Sequence, residues 1–182
     1  MPRLGGRVKS LLLFLTAFSI FIVILPILLV LAGMFLDGIL GLTGLMDQYY
    51  AQRLILAVAF FIVGGYLAVA SNIYLWRVGR GYAWGDISPS EETENLVTSG
   101  PYKYCRNPML LGYFLLLSAA GLLVGSLSSA LLIPLTVLIL EALWIKMVEE
   151  PKLEERFGDA YIEYKRRVPF LIPRPWRRRR NG

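Results

Sequence analysis

Four apolar stretches, separated by polar segments, set the pattern of the chain. They cover residues 11–36, 54–76, 109–124 and 130–148. A helix crosses a bilayer with about 20 apolar residues, and the first stretch is longer than the apolar core of a signal peptide. The uncharged turn GSLSS joins the last two stretches. The pattern predicts an all-α integral membrane protein with four transmembrane helices, the last two forming a helical hairpin.

The distribution of charge predicts how these helices are oriented. Lys and Arg residues cluster before the first span, between residues 77 and 107, and from residue 146 onward. Asp37 and Asp47 lie between the first two spans. The positive-inside rule then places both termini and the segments 77–107 and 149–182 in the cytoplasm. We therefore expect a protein of the cell inner membrane.

The composition separates this chain from other basic proteins. Its net charge is +6, and such charge also occurs in proteins that bind nucleic acid, but 56% of its residues are hydrophobic. We expect the lipid bilayer as its partner and no nucleic acid. Each cytosolic segment has only about 30 residues, too few for a core of its own. We therefore treat residues 1–182 as a single membrane-embedded domain in which the two cytosolic segments pack together.

The missing residue types limit the chemistry. The chain has no histidine, so it lacks the usual general base and the commonest metal ligand. Its one cysteine, Cys105, cannot form an internal disulfide. We expect no bound metal.

Polar detail is concentrated where the third span begins, in GPYKYCRNPMLLGYF (residues 100–114). Asn107 and Pro108 predict a helix start, since Asn favours the N-cap and Pro the first turn. Free N–H groups at this helix end and the guanidinium of Arg106 suit an anion. Gly112, one turn later, permits close approach of a backbone or a flat ligand. An ordinary capped helix with a snorkelling arginine is the simpler interpretation of this segment alone.

The second polar segment follows the fourth span, in EEPKLEERFGDAYIEYKRR. Glu149 and Glu150 are about 100° apart on a helix, which suits a cation and a diol better than a metal. Gly158 predicts a helix end before a short amphipathic helix that carries Tyr161 and Tyr164. A solvated acidic flank, paired with nearby Lys and Arg residues, is the simpler interpretation of this segment alone.

Together, the two segments and the hairpin between them resemble the isoprenylcysteine carboxyl methyltransferase and phospholipid methyltransferase superfamily. The resemblance covers residues 79–174. The superfamily pattern reads Arg-His-Pro, then a Gly, then Glu-Glu, Phe-Gly and spaced tyrosines. The residues that fit it here are Arg106, Pro108, Gly112, Glu149, Glu150, Phe157, Gly158, Tyr161 and Tyr164. Asn107 replaces the histidine, and an amide cannot shuttle protons, so a histidine-dependent mechanism is not implied.

The resemblance implies S-adenosylmethionine as the methyl donor. The helix start and Arg106 suit its carboxylate, and Glu149 and Glu150 suit its ammonium or ribose. The tyrosines suit the flat adenine. The expected cofactor-binding residues are Tyr102, Tyr104, Arg106, Asn107, Pro108, Gly112, Glu149, Glu150, Tyr161 and Tyr164.

The methyl acceptor implied by the resemblance is lipophilic. Related enzymes hold an acceptor carboxylate with a basic residue near the end of span two, so Arg77 and Arg80 are the expected catalytic residues, although simple anchoring at the interface explains them too. A carboxylate is favoured because, without histidine, few groups can remove a proton near pH 7. A phospholipid amine is the alternative. A related membrane reductase or a small transporter is less favoured, since the chain shows no Gly-rich dinucleotide loop and no repeat.

One charged residue interrupts the fourth span. Glu141 is costly in lipid, so we expect it to face the protein interior, either paired with a neighbouring helix or lining a channel for the acceptor.

The predicted orientation can be tested by labelling cysteines introduced at Thr43 and Gly182. In intact cells, an impermeant thiol reagent should label Thr43→Cys and leave Gly182→Cys unlabelled, because the basic flanks stay in the cytoplasm. The parent chain, with Cys105 alone, gives the background. Labelling of Gly182→Cys from outside would contradict the orientation.

Overall fold

The computed structural model describes residues 23–81 and 93–173, and within these ranges the regular structure is entirely helical. We label six α-helices in chain order: α1 (Leu25–Leu40), α2 (Tyr50–Tyr74), α3 (Pro108–Val124), α4 (Ile133–Trp144), α5 (Glu150–Phe157) and α6 (Asp159–Arg167). Short 3₁₀ turns cover Asp47–Tyr49 and Gly100–Lys103, and π-helical turns cover Leu75–Gly79, Ser128–Leu132 and Ile145–Glu149. The predicted all-α fold is confirmed for the described residues.

Two continuous helical stretches are long and apolar enough to cross a membrane. They are Asp47–Gly79 and Ser128–Phe157, and α1 and α3 are apolar but shorter. Their apolar side chains are largely uncovered: the exposed fraction is 72% at Ile55 and 62% at Phe61. Such surface suits contact with lipid. Four spans stay a prediction, and residues 11–22 of the first lie outside the described ranges.

The helix boundaries agree with the local signals in the sequence. Helix α3 begins at Pro108, as the Asn-Pro pair predicts. Gly158 adopts a positive φ of 55° between α5 and α6, where glycine avoids the clash of a Cβ. Pro151 does not interrupt the chain, because it lies in the first turn of α5, where a missing N–H costs little.

The described residues belong to two compact units. The first contains residues 23–57 and 117–133. There α1 packs so closely on the π-helical turn Ser128–Leu132, which lies between α3 and α4, that a Cβ on Gly33 would lie 2.6 Å from the Ser129 nitrogen. The Ser129 hydroxyl donates to the Val30 carbonyl at 2.8 Å. The second unit contains residues 58–81, 93–116 and 134–173.

A buried carboxylate ties the first unit together. Asp37, inside α1 with 4% of its surface exposed, accepts a hydrogen bond from the Ser128 amide at 2.9 Å. The amide belongs to the first turn of a long helical stretch, where negative charge is favourable. The sequence pattern placed Asp37 in the loop after the first span, but α1 continues past it to Leu40.

Asp37→Asn should lower the free energy of unfolding by about 2 kcal/mol, because it weakens a buried hydrogen bond to a charged acceptor. The midpoint of thermal unfolding in detergent should fall by several degrees. Asp47→Asn, at an exposed position, is the matched control and should unfold with the parent chain. Equal midpoints for the two variants would show that the Asp37 charge contributes nothing.

Candidate functional site

The second unit contains a cavity between the two polar segments that the sequence singles out. Its volume is about 90 Å³, which is smaller than that of a typical small-molecule site. The lining residues come from the end of α2, the chain before α3, the π-helical turn before α5, and α5 and α6. They are Leu75, Thr93, Asn95, Leu96, Val97, Tyr102, Arg106, Asn107, Ile145, Glu149, Leu153, Phe157, Tyr161 and Tyr164.

Six of the ten predicted cofactor residues line this cavity: Tyr102, Arg106, Asn107, Glu149, Tyr161 and Tyr164. Two further members of the set support it from behind. Pro108 is fully buried, and Gly112 meets the backbone of α2, where an added Cβ would lie 2.9 Å from the Gly64 carbonyl oxygen. A side chain at residue 112 would therefore push α3 away from α2.

A buried ion-pair network stands beside the cavity. The Arg106 guanidinium contacts Oε1 of Glu150 at 2.6 Å, and these side chains are only 10% and 4% exposed. Lys165 contacts the other Glu150 oxygen at 2.7 Å and Oε1 of Glu154 at 2.8 Å. The hydrogen bonds to Glu150 and Glu154 raise the pKa of Lys165. Breaking such a buried pair typically costs about 3–5 kcal/mol, so Glu150 serves mainly to hold the site together.

Arg106 is already occupied by the protein itself. Its Nη1 donates to the carbonyls of Lys165 and Val168 at 2.8 and 3.0 Å, and its guanidinium lies 5.7 Å from the Phe170 ring centre. Its Nε is buried and has no hydrogen-bond partner among the described residues. Arg106 therefore retains one unused donor, rather than the open guanidinium that the sequence pattern indicated.

The chain entering α3 is held in the same way. The amides of Arg106 and Asn107 donate to the carbonyls of Pro169 and Phe170 at 2.9 and 3.2 Å. The Asn107 side-chain amide also donates to Phe170, at 3.1 Å. The backbone amides of Arg106 and Asn107 are therefore not free for an anion. The segment Val168–Phe170 supplies their acceptors because α6 ends at Arg167 and the backbone there becomes extended.

Tyrosines form a neutral wall of the cavity. Burial raises the pKa of the Tyr161 hydroxyl to about 12 and raises those of Tyr102 and Tyr164 above their ordinary values. The Tyr164 hydroxyl donates to the Tyr102 carbonyl at 2.7 Å, and the rings of Tyr161 and Tyr164 are 6.1 Å apart. These phenols stay protonated at neutral pH, so they contribute surface and hydrogen bonds rather than a base.

Three other predicted site residues lie on the surface, away from the cavity lining. Arg77 is exposed. Arg80 is also exposed and lies 3.6 Å from the Glu94 carboxylate. Tyr104 is 46% exposed. Glu141 is likewise exposed on α4, so the expectation that it faces the interior is wrong for the single chain.

The sequence analysis missed the apolar part of the cavity. Leu96, Leu153 and Phe157 pack against the buried cluster of Tyr161, Tyr164 and Val168. Leu153 and Phe157 are four residues apart, and this i, i+4 spacing on the amphipathic α5 was the available signal. The loop residue Leu96 carries no comparable pattern.

Comparisons with known proteins agree with this arrangement. The family model described as phospholipid methyltransferase matches residues 52–160, more than half of the chain. Protein-S-isoprenylcysteine O-methyltransferase of Schizosaccharomyces pombe is 31% identical over 119 residues, which are 64% of this chain and 48% of that protein. Methanethiol S-methyltransferase 2 of Bradyrhizobium diazoefficiens is 42% identical over 84 residues, which are 43% of this chain and 29% of that protein.

The mouse protein-S-isoprenylcysteine O-methyltransferase is 31% identical over 91 residues, which are 47% of this chain and 30% of that protein. The chain thus spans about half or less of the length of these relatives. No solved structure matches it. The extent of the family match, together with the two motif segments that meet at one cavity, confirms the resemblance seen in the sequence: the chain belongs to the phospholipid methyltransferase family.

Proposed function

We propose that the protein is a membrane methyltransferase that moves a methyl group from S-adenosylmethionine to a lipophilic acceptor. The observation that carries this proposal is the cavity, in which both halves of the family motif meet around polar groups with neutral aromatic and apolar walls. The proposal includes the orientation expected from the sequence, with the cavity on the cytosolic side of the cell inner membrane.

The residues around the cavity fit this cofactor. The unpartnered Nε of Arg106 offers a charge-assisted hydrogen bond to its carboxylate. Glu149 lines the cavity and offers a carboxylate to its ammonium or ribose. Tyr102, Phe157 and Tyr161 offer aromatic surface to its adenine. When bound, S-adenosylmethionine supplies an electrophilic methyl group on a positively charged sulfur.

The chain's own contribution is alignment in a dry site. Apolar side chains from α5 and the loop before α3 keep water away from the reacting groups. The Arg106–Glu150 pair and the Asn107–Phe170 contacts fix the polar groups before the ligand arrives. Preorganisation of this kind avoids the cost of ordering the site during the reaction.

Glu149→Gln should weaken binding of S-adenosylmethionine about ten- to a hundredfold, because a charge-assisted hydrogen bond contributes roughly 1.5–3 kcal/mol. Isothermal titration calorimetry on the purified protein in detergent measures this change. Glu155→Gln, exposed on α5 and outside the cavity lining, is the matched control. Parent-like affinity in Glu149→Gln, with Glu155→Gln also unchanged, would remove Glu149 from the site.

The acceptor class is the finer part of the proposal. We favour a carboxylate, the acceptor that the names of the S. pombe and mouse relatives suggest. Arg77 and Arg80 are exposed near the end of α2, where we propose that they attract an anionic head group at the membrane surface. Two other acceptors are suggested by names. The name of the family model suggests a phospholipid amine, and the name of the Bradyrhizobium relative suggests a thiol.

Membranes supplied with methyl-labelled cofactor should yield label in the lipid fraction that mild base releases, because a methylated carboxylate is an ester. Thin-layer chromatography before and after base treatment measures this release. Phosphatidylethanolamine and long-chain thiols serve as competing acceptors. Base-stable label in the phospholipid head group would replace the carboxylate with the amine, and base-stable label on the thiol would replace it with the thiol.

A further inference from the structure

One wall of the cavity is a short irregular segment, residues 93–97, which we call the strap. It contributes four lining residues: Thr93, Asn95, Leu96 and Val97. Leu96 packs against the buried cluster of tyrosines and Val168, and Val97 is only 6% exposed. The strap therefore places apolar side chains in the space between the two polar segments.

The strap is bound to the chain that follows α2. The backbone amides of Glu94 and Asn95 both donate to the Gly79 carbonyl, at 2.7 and 3.2 Å. The Asn95 side-chain amide donates to the Val78 carbonyl at 3.2 Å, and this hydrogen bond is exposed. Exposed backbone hydrogen bonds with few buried neighbours belong to the part of a structure that opens most easily.

The other polar contacts of the strap also lie at the surface. The Glu94 carboxylate is 3.6 Å from Arg80, and these side chains are 65% and 72% exposed. An exposed hydrogen bond joins the Arg156 guanidinium to the Thr93 carbonyl. Exposed ion pairs contribute little to stability. The opposite side of the cavity is fixed by the buried ion-pair network, so the strap is the wall that moves at the least cost.

The volume of the cavity requires such a movement. It is about 90 Å³, whereas sites for small molecules usually enclose about 300–1,000 Å³. We propose that the strap closes the cofactor cavity and moves outward to admit S-adenosylmethionine. This inference rests on the proposed function. Opening of the strap then limits the rate at which the cofactor enters, as lid motions do in many enzymes.

Gly79→Ala tests the proposal by crowding the strap. An added Cβ would lie 2.9 Å from Cγ2 of Thr93 and 3.0 Å from Cγ2 of Val97, so it disfavours the closed form. The association rate constant of S-adenosylmethionine should rise about five- to tenfold, as measured by surface plasmon resonance on the full chain in detergent. Gly65→Ala on α2, where a Cβ meets nothing within 4 Å, is the matched control and should bind at the parent rate.

A disulfide between residues 79 and 93 should have the opposite effect. The two Cβ atoms would be 3.2 Å apart, a few tenths of an ångström below the separation of about 3.5–4.5 Å that is typical of disulfides. In Gly79→Cys/Thr93→Cys, oxidation should slow association at least about tenfold, and dithiothreitol should restore the rate. The parent chain, with the buried Cys105 alone, is treated with the same oxidant as the control.

Hydrogen exchange tests the unmodified parent chain. The amides of Glu94 and Asn95 should exchange faster when S-adenosylmethionine is bound than when it is not, because the outward movement breaks their hydrogen bonds to Gly79. This measurement decides the question if the Gly79 variants do not fold.

The outcomes separate the strap from the proposed function. Unchanged or slower exchange of these amides overturns the strap, as does a parent-like association rate in Gly79→Ala or in the oxidised double variant. In each of these cases the parent chain still binds S-adenosylmethionine. A parent chain that does not bind S-adenosylmethionine overturns the proposed function itself, and the strap with it.

Discussion

The buried ion pair between Arg106 and Glu150 is the contact on which the candidate site depends. It joins the chain that enters α3 to the first turn of α5, 44 residues further along the sequence. Removing a charge from water costs free energy. The groups around the ion pair offset this cost by binding the remaining charged and polar atoms. Lys165 holds the second Glu150 oxygen, and two carbonyls near the end of α6 accept from the Arg106 guanidinium. Three distant segments are therefore fixed by one carboxylate and one guanidinium.

The two adjacent glutamates have different surroundings. Glu150 is buried in the ion pair with Arg106, whereas Glu149 lines the cavity. Glu149 is the last residue of the π-helical turn Ile145–Glu149, and Glu150 begins α5. A second π-helical turn, Leu75–Gly79, follows α2 next to the cavity. Such turns widen a helix and change the direction of the side chains that follow, and they are frequent at functional sites. Both therefore help to shape the cavity walls.

The chemistry available to the site follows from what it lacks. Without histidine, and with tyrosines kept neutral by burial, the cavity walls contain no obvious proton carrier for neutral pH. Burial also raises the pKa of the Cys105 thiol to about 11, so it is not a thiolate. Proton transfer, where the acceptor requires it, therefore falls to carboxylates. Glu149 is the carboxylate that lines the cavity.

The sequence by itself determined the helical class, the start of α3 at Pro108 and the break at Gly158, because these depend on local apolar periodicity and backbone preferences. It also identified most of the cavity-lining polar residues through the family motif. Only the tertiary structure decided what those residues do. Glu149 and Glu150 are equivalent in sequence, but the position of Arg106 makes one structural and leaves the other on the cavity wall. Carbonyls within residues 165–170 accept hydrogen bonds from Arg106 and Asn107, whose donors the motif alone suggests are free. Glu141 is exposed on α4. These outcomes depend on which distant segments of the chain come into contact, and local sequence patterns do not determine those contacts.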